Sequence, residues 1–125
     1  MWTFKGFIDE NGNNVFDAWY SSELSIGAQV KVDWLLGELF PTRPFIQWGA
    51  KYVKKLTNNI YEVRFEINRI CYRPLGGFIP FRNDFTFLIG VVKDTTIPQT
   101  TIDIAEKRFD IVSKNPERAK ECLLE

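Results

Sequence analysis

The chain predicts an α+β fold: a small antiparallel sheet with helices packed against it, in the order β-α-α-β-β-β-α. Three observations carry that expectation. Two segments, 25–40 and 100–114, repeat apolar residues at helical spacing. Residues 60–73 alternate apolar and charged side chains, and 85–92 form an almost continuous apolar run of strand length. Hydrophobic residues make up 45% of the 125 and aromatics 15%, enough to fill one core. Residues 1–125 therefore read as a single domain.

The elements follow in order. Trp2, Phe4 and Ile8 mark a first strand, and Asn11-Gly12-Asn13-Asn14 is turn chemistry. Asn14, with Asp17 three residues on, reads as the N-cap of a short helix carrying Val15, Phe16 and Trp19. A longer helix begins near Ser25 with the stripe Ala28, Val32, Leu35, Leu36 and Leu39, and Pro41 ends it. Residues 45–56 suggest a helical turn around Trp48-Gly49 that delivers Lys54 and Lys55.

A hairpin follows. With Ile67-Asn68 as a two-residue turn, the opposed pairs are Glu66/Arg69, Phe65/Ile70, Arg64/Cys71, Val63/Tyr72 and Glu62/Arg73. That register puts Val63, Phe65, Ile70 and Tyr72 on one face and the charged residues on the other. The breaker-rich segment 74–84 is a loop or bulged strand end. Phe85 to Val92 suits a central strand covered on both faces. Thr100, with Asp103 three later, opens a helix with Ile102, Ala105, Phe109 and Val112 on one side, and Asn115-Pro116 breaks it. The tail from Glu117 reads as a further short helix.

The formal charge of zero hides an asymmetry. Positions 51–82 hold seven Lys/Arg against Glu62 and Glu66, a net of +5, while the first forty residues carry a net of −4. Cations concentrated on a hairpin point to RNA, DNA or another polyanion on one face. The candidate nucleic-acid-binding residues are Lys54, Lys55, Arg64, Arg69, Arg73 and Arg82. Arg64 stands out, because in the expected register no acid opposes it. Arg69 and Arg73 read equally well as exposed cross-strand pairs with glutamates, and Tyr72 as a core residue. The chain has no histidine, which excludes Ser-His-Asp and Cys-His catalysis in their usual form and argues against zinc. Cys71 and Cys122 lie far apart and form no ligand cluster, so no metal and no cofactor is expected and a reduced, cytoplasmic setting is. No apolar run reaches membrane-spanning length, and the first eight residues are too short and interrupted for a signal peptide.

Lys54-Lys55-Leu56, then Tyr61-Glu62-Val63-Arg64, Tyr72-Arg73, the apolar run 85–92, Lys93 before Pro98, and Ala105 occur in an order that resembles the RelE/HigB/ParE superfamily of bacterial toxins, closest to its phage-associated HigB-like branch. The resemblance implies a RelE-like fold and ribosome-dependent cleavage of mRNA, with a helix-turn-helix antitoxin as partner. It implies a catalytic set of Arg64, Arg69, Arg73 and Lys93 acting on phosphate without a metal. Two positions depart from the pattern. Lys93 stands beside Asp94 where relatives carry a lysine pair, and Thr101 or Ile102 falls where some carry a tyrosine. These departures support the alternatives: a non-enzymatic inhibitor like the gyrase-binding ParE branch, or a phage-derived RNA-binding module without nuclease activity.

Overall fold

A computed structural model describes residues 2–92 and 96–123. The chain runs β1 (Thr3–Phe7), α1 (Val15–Glu23), α2 (Ile26–Trp34), β2 (Val53–Lys55), β3 (Tyr61–Val63), β4 (Phe65–Ile67), β5 (Ile70–Tyr72), β6 (Leu75–Gly77), β7 (Asp84–Ile89), α3 (Gln99–Lys114) and β8 (Ala119–Glu121). Six strands form one sheet in the order β2-β3-β6-β7-β1-β8, and β4 and β5 form a separate hairpin.

The α+β expectation holds, but the sheet is mixed. β1 lies parallel to β7, with Phe4 opposite Phe85 and Gly6 opposite Phe87. Sequence reading missed this because parallel neighbours are joined by a long crossover rather than a turn. The C-terminal segment is also not a helix. After a 3₁₀ turn at Pro116–Arg118, β8 pairs antiparallel with β1 and closes that edge.

The helix starts follow from local chemistry. Asn14 Oδ1 accepts from the backbone N–H of Phe16 and Asp17 at 3.0 and 3.1 Å, and Ser25 Oγ accepts from Ala28 N–H at 3.2 Å. α3 differs from expectation: it starts at Gln99 behind Pro98, and Thr100 is not its cap. A π-helical turn at Leu35–Leu39 extends α2, with Phe40 N–H donating to Leu35 O at 2.9 Å. A 3₁₀ turn at Phe45–Gln47 and Gly49 at φ +93° then redirect the chain into β2. The helical turn expected near Trp48-Gly49 thus lies just before Trp48, and Lys54 and Lys55 follow it on an edge strand.

β7 is covered on both faces. Phe85 and Phe87 join a cluster with Phe4, Phe16, Trp48 and the α2 stripe Ala28, Val32, Leu35 and Leu36. Leu88 joins Phe7, Leu75, Ala105 and Val112 beneath α3 on the other side. That face needs close packing: a Cβ on Gly77 would come within 2.7 Å of the Phe109 ring. Helices thus sandwich the sheet, and the hairpin stands beside α2.

Candidate nucleic-acid interface

The hairpin turns at Asn68-Arg69, both with positive φ (52° and 68°), and not at Ile67-Asn68. Its register is Phe65–Tyr72, Glu66–Cys71 and Ile67–Ile70. Every partner therefore moves by two residues from the expected one. An even shift keeps most of the apolar face: Val63, Phe65 and Tyr72 are buried, with the Phe65 and Tyr72 rings stacked at 5.3 Å, but Ile70, expected with them, is 44% exposed beside the turn. Arg69 leaves the charged face expected for it and occupies the exposed turn, while Glu66 stands opposite Cys71 and Glu62 opposite Leu75.

Arg64 follows β3 with its N–H held by Tyr52 O at 2.7 Å, and Arg73 follows β5 with its N–H held by Val91 O at 2.7 Å. These backbone bonds plant both guanidinium stems on ordered chain. Between hairpin and α2 opens a cleft of about 600 Å³ lined by Lys31, Lys51, Tyr52, Arg64, Phe65, Glu66, Cys71 and Arg73. Four cations face one carboxylate there. Lys31 lies over the rings of Trp34 and Tyr52, at 4.8 and 5.3 Å, and Lys51 over Tyr52 at 5.4 Å. Arg73 Nε donates to Cys71 Sγ at 3.3 Å.

On the other side of Arg64 and Arg73 lies a second cleft of about 360 Å³. Those two arginines also line it, with Lys54 and Glu62 and the apolar Leu56, Ile97 and Ile102. The two arginines thus form a ridge between the clefts. Glu62 corrects the sequence reading twice. It is buried (2% exposed) rather than solvent-facing, and its Oε1 lies 3.7 Å from Arg64 Nη1. Arg64 therefore does face an acid, supplied by its own strand. At 3.7 Å this is an ion pair and not a hydrogen bond, and Glu62 Oε1 has no hydrogen-bond donor among the described residues.

The remaining candidates disperse. Lys55 is exposed on β2 and lines neither cleft. Arg82 is exposed in the turn before β7, at the opposite end of that strand from Arg73. Lys93 lies outside the described residues. Sequence reading missed Lys31, because it belongs to the acidic first forty residues and reaches the cleft only through α2 packing against β4. Tyr52 and Glu66 were also missed as site residues; Glu66 faces Cys71 across the hairpin and points into the same cleft.

No protein-family model matches the chain, and no curated protein matches it either. Among the described residues, no group of carboxylates and thiols is placed to hold a metal ion, and no helix is long and apolar enough to cross a membrane.

Proposed function

We propose that the protein binds the phosphate backbone of single-stranded RNA in the hairpin cleft, as a RelE/HigB-type toxin that cleaves mRNA on the ribosome and is held inactive by a helix-turn-helix antitoxin. The observation that carries the reading is the convergence of Lys31, Lys51, Arg64 and Arg73 from three separate parts of the chain onto one open cleft. Solvated surface cations have no reason to converge; cations arranged for phosphate do. The tyrosine ring between two lysines adds a surface on which a base can stack. The chain order of one strand, two helices, a run of strands and a long helix supports the RelE-like assignment.

The chemistry requires the ribose 2′-oxygen to attack the adjacent phosphorus while the bond from phosphorus to the 5′-oxygen breaks. Arg64 and Arg73 stabilise charge on the phosphoryl oxygens. Glu66 takes the proton from the 2′-hydroxyl, and Tyr52 gives one to the departing 5′-oxygen, leaving a cyclic phosphate and a 5′-hydroxyl. Inducing the protein in bacteria and mapping mRNA 5′ ends tests this: cleavage within translated codons, ending in 5′-hydroxyls, is expected. Growth arrest with a DNA-damage response and no cleavage would favour the gyrase-binding alternative. Absence of any growth effect, with RNA still bound in vitro, would favour the RNA-binding module. The observation behind those alternatives is that the first turn of α3 brings Ile102, and no phenol, to the second cleft.

A further inference from the structure

α2 has already met the needs of the core through Ala28 and Val32, with Leu35 and Leu36 just beyond it, all of them buried. Its other side carries a second apolar row. Ile26 is 81% exposed, Val30 63% and Trp34 39%, at spacings of four residues, so they stack along one line of the helix. Single exposed apolar residues are ordinary, but a periodic row on one helix is a patch. The row is widened by the hairpin: Ile67 packs against Gly27 of α2, and Ile70, paired with Ile67, is itself exposed.

A shallow groove of about 390 Å³ runs beside the row, lined by Val30, Asp33, Trp34, Gly37 and Glu38. It contains two carboxylates and no cation. Gly37 has no atom near where a Cβ would stand, so another backbone can approach closely there. The charge argues against a second copy of this chain, which would bring Asp33 and Glu38 against their own counterparts. It favours a cationic occupant.

We infer that this face of α2 is a docking surface for a basic amphipathic helix of another protein, with apolar residues at the same four-residue spacing and Lys/Arg alongside. The partner's apolar side chains cover Ile26, Val30 and Trp34, and its cations reach Asp33 and Glu38. The surface is not isolated from the cationic cleft. The Trp34 ring holds Lys31 at 4.8 Å and meets Tyr52 edge-on at 6.3 Å. A helix that moves Trp34 therefore changes two residues of the cleft wall. The docking itself does not depend on what the cleft binds.

The test uses the full chain and three synthetic helical peptides with one leucine face, whose polar positions are all lysine, all glutamine or all glutamate. Binding is followed by fluorescence anisotropy and by backbone and indole N–H shifts. The lysine peptide is expected to bind most tightly, the glutamate peptide at least tenfold more weakly, with shifts confined to residues 26–38, Ile70 and Tyr52. Ile26→Asp with Val30→Asp, two exposed positions where folding is checked by circular dichroism, should weaken the lysine peptide at least tenfold. Any of four results would overturn the inference. No peptide binds; the glutamate peptide binds as well as the lysine one; the shifts map to another surface; or the wild type self-associates through this row and the double variant makes it monomeric. Binding to phosphatidylglycerol vesicles that the double variant abolishes, without peptide binding, would assign the face to a lipid surface instead. Failure of RNA cleavage or RNA binding would leave the peptide result unchanged, so the two readings fail separately.

Discussion

Two regions of the molecule collect cations beside aromatic rings, and they differ in how many carboxylates balance them. In the hairpin cleft, Lys31, Lys51, Arg64 and Arg73 surround an open volume. At the N-terminal strand, Lys107, Arg108 and Arg118 line a cleft of about 340 Å³ with Asp9 and Glu10. There the guanidiniums are engaged. Arg108 and Arg118 each lie 5.0 Å from the centre of the Phe7 ring. Arg108 Nη1 donates to Leu88 O at 2.7 Å, and Arg118 Nε donates to Ile8 O at 2.8 Å. Burial pulls the pKa of Arg108 down from its ordinary value, and the charge of Asp9 opposes that pull. These arginines serve as packing and as strand-end braces. What differs is the balance: four cations face one carboxylate in the hairpin cleft, and three face two here.

The largest expected effect breaks this comparison open. If the cleft cleaves RNA, Arg64→Ala should reduce that cleavage by about 10²–10³, the loss typical of one transition-state contact, and lower the melting temperature less than Arg108→Ala does. Arg64 is 37% exposed at its side chain and stands 3.7 Å from the buried Glu62, so stranding that carboxylate costs some stability, limited by the length and exposure of the pair. Arg108→Ala should do the reverse. Losing a charged hydrogen bond costs about 2 kcal/mol, or roughly 6–10 °C for a domain of this size, with RNA affinity intact. More stability lost in the first variant than in the second, or RNA affinity lost in the second, would show that the division between site and scaffold is drawn in the wrong place.

The two cysteines sharpen the same division. Cys122, beyond β8, is half-buried near Asp17 and Glu121, and desolvation first, then those two carboxylates, pushes its thiol pKa well above the ordinary value. Cys71 lies in the cation-lined cleft. Both thiols are half-buried, so iodoacetamide at neutral pH should label Cys71 roughly tenfold faster than Cys122 because the raised pKa of Cys122 leaves it less thiolate, as read by mass spectrometry. The sign for stability follows from the raised value: the unfolded thiol ionises first, so Cys122 lowers stability as pH climbs past its ordinary value. Cys122→Ser should flatten that alkaline decline. Equal labelling of both thiols would mean that the β8 edge opens as readily as the cleft.

How legible this was in the sequence depends on what holds each piece. The apolar face of the hairpin was readable in part because alternation survives an even shift of register: Val63, Phe65 and Tyr72 are buried as expected, whereas Ile70 is exposed beside the turn and Glu62, on the charged face, is buried. The turn was not, since Arg69 at φ 68° is a residue type that carries no turn signal. The central strand 85–92 and the α3 face announced themselves by composition and period. β8 could not, because Ala119-Lys-Glu has no strand preference and exists through pairing with β1. Half of the site was legible for the same reason. Arg64 and Arg73 sit on local sequence patterns, whereas Lys31 arrives by tertiary packing and Glu62 is buried by elements distant in sequence.

Glu62 offers the next test. A buried carboxylate between Arg64 and Lys54 restrains cations that phosphate would otherwise recruit. Glu62→Gln removes that restraint at nearly constant shape. Affinity for a single-stranded oligonucleotide should rise several-fold at low salt, and the salt slope should steepen by about 0.7 as Arg64 gains a phosphate contact. A weaker, less salt-dependent complex from a folded Glu62→Gln protein would mean instead that the carboxylate orients Arg64 for its ligand.

The smallest effect separates adjacent lysines. Lys54 and Lys55 are successive residues of edge strand β2, so their side chains leave opposite faces of the sheet. Lys54 stands opposite Glu62 and lines the second cleft; Lys55 stands opposite Tyr61 and lines neither. Both are exposed, so composition and accessibility treat them alike and only strand alternation tells them apart. If RNA passes over the Arg64–Arg73 ridge into the second cleft, Lys54→Ala should flatten the salt slope by about 0.7, one phosphate's worth. Lys55→Ala should leave it unchanged. Equal losses from both substitutions would mean a diffuse field around β2 in place of a track, and losses from neither would confine the RNA to the hairpin cleft.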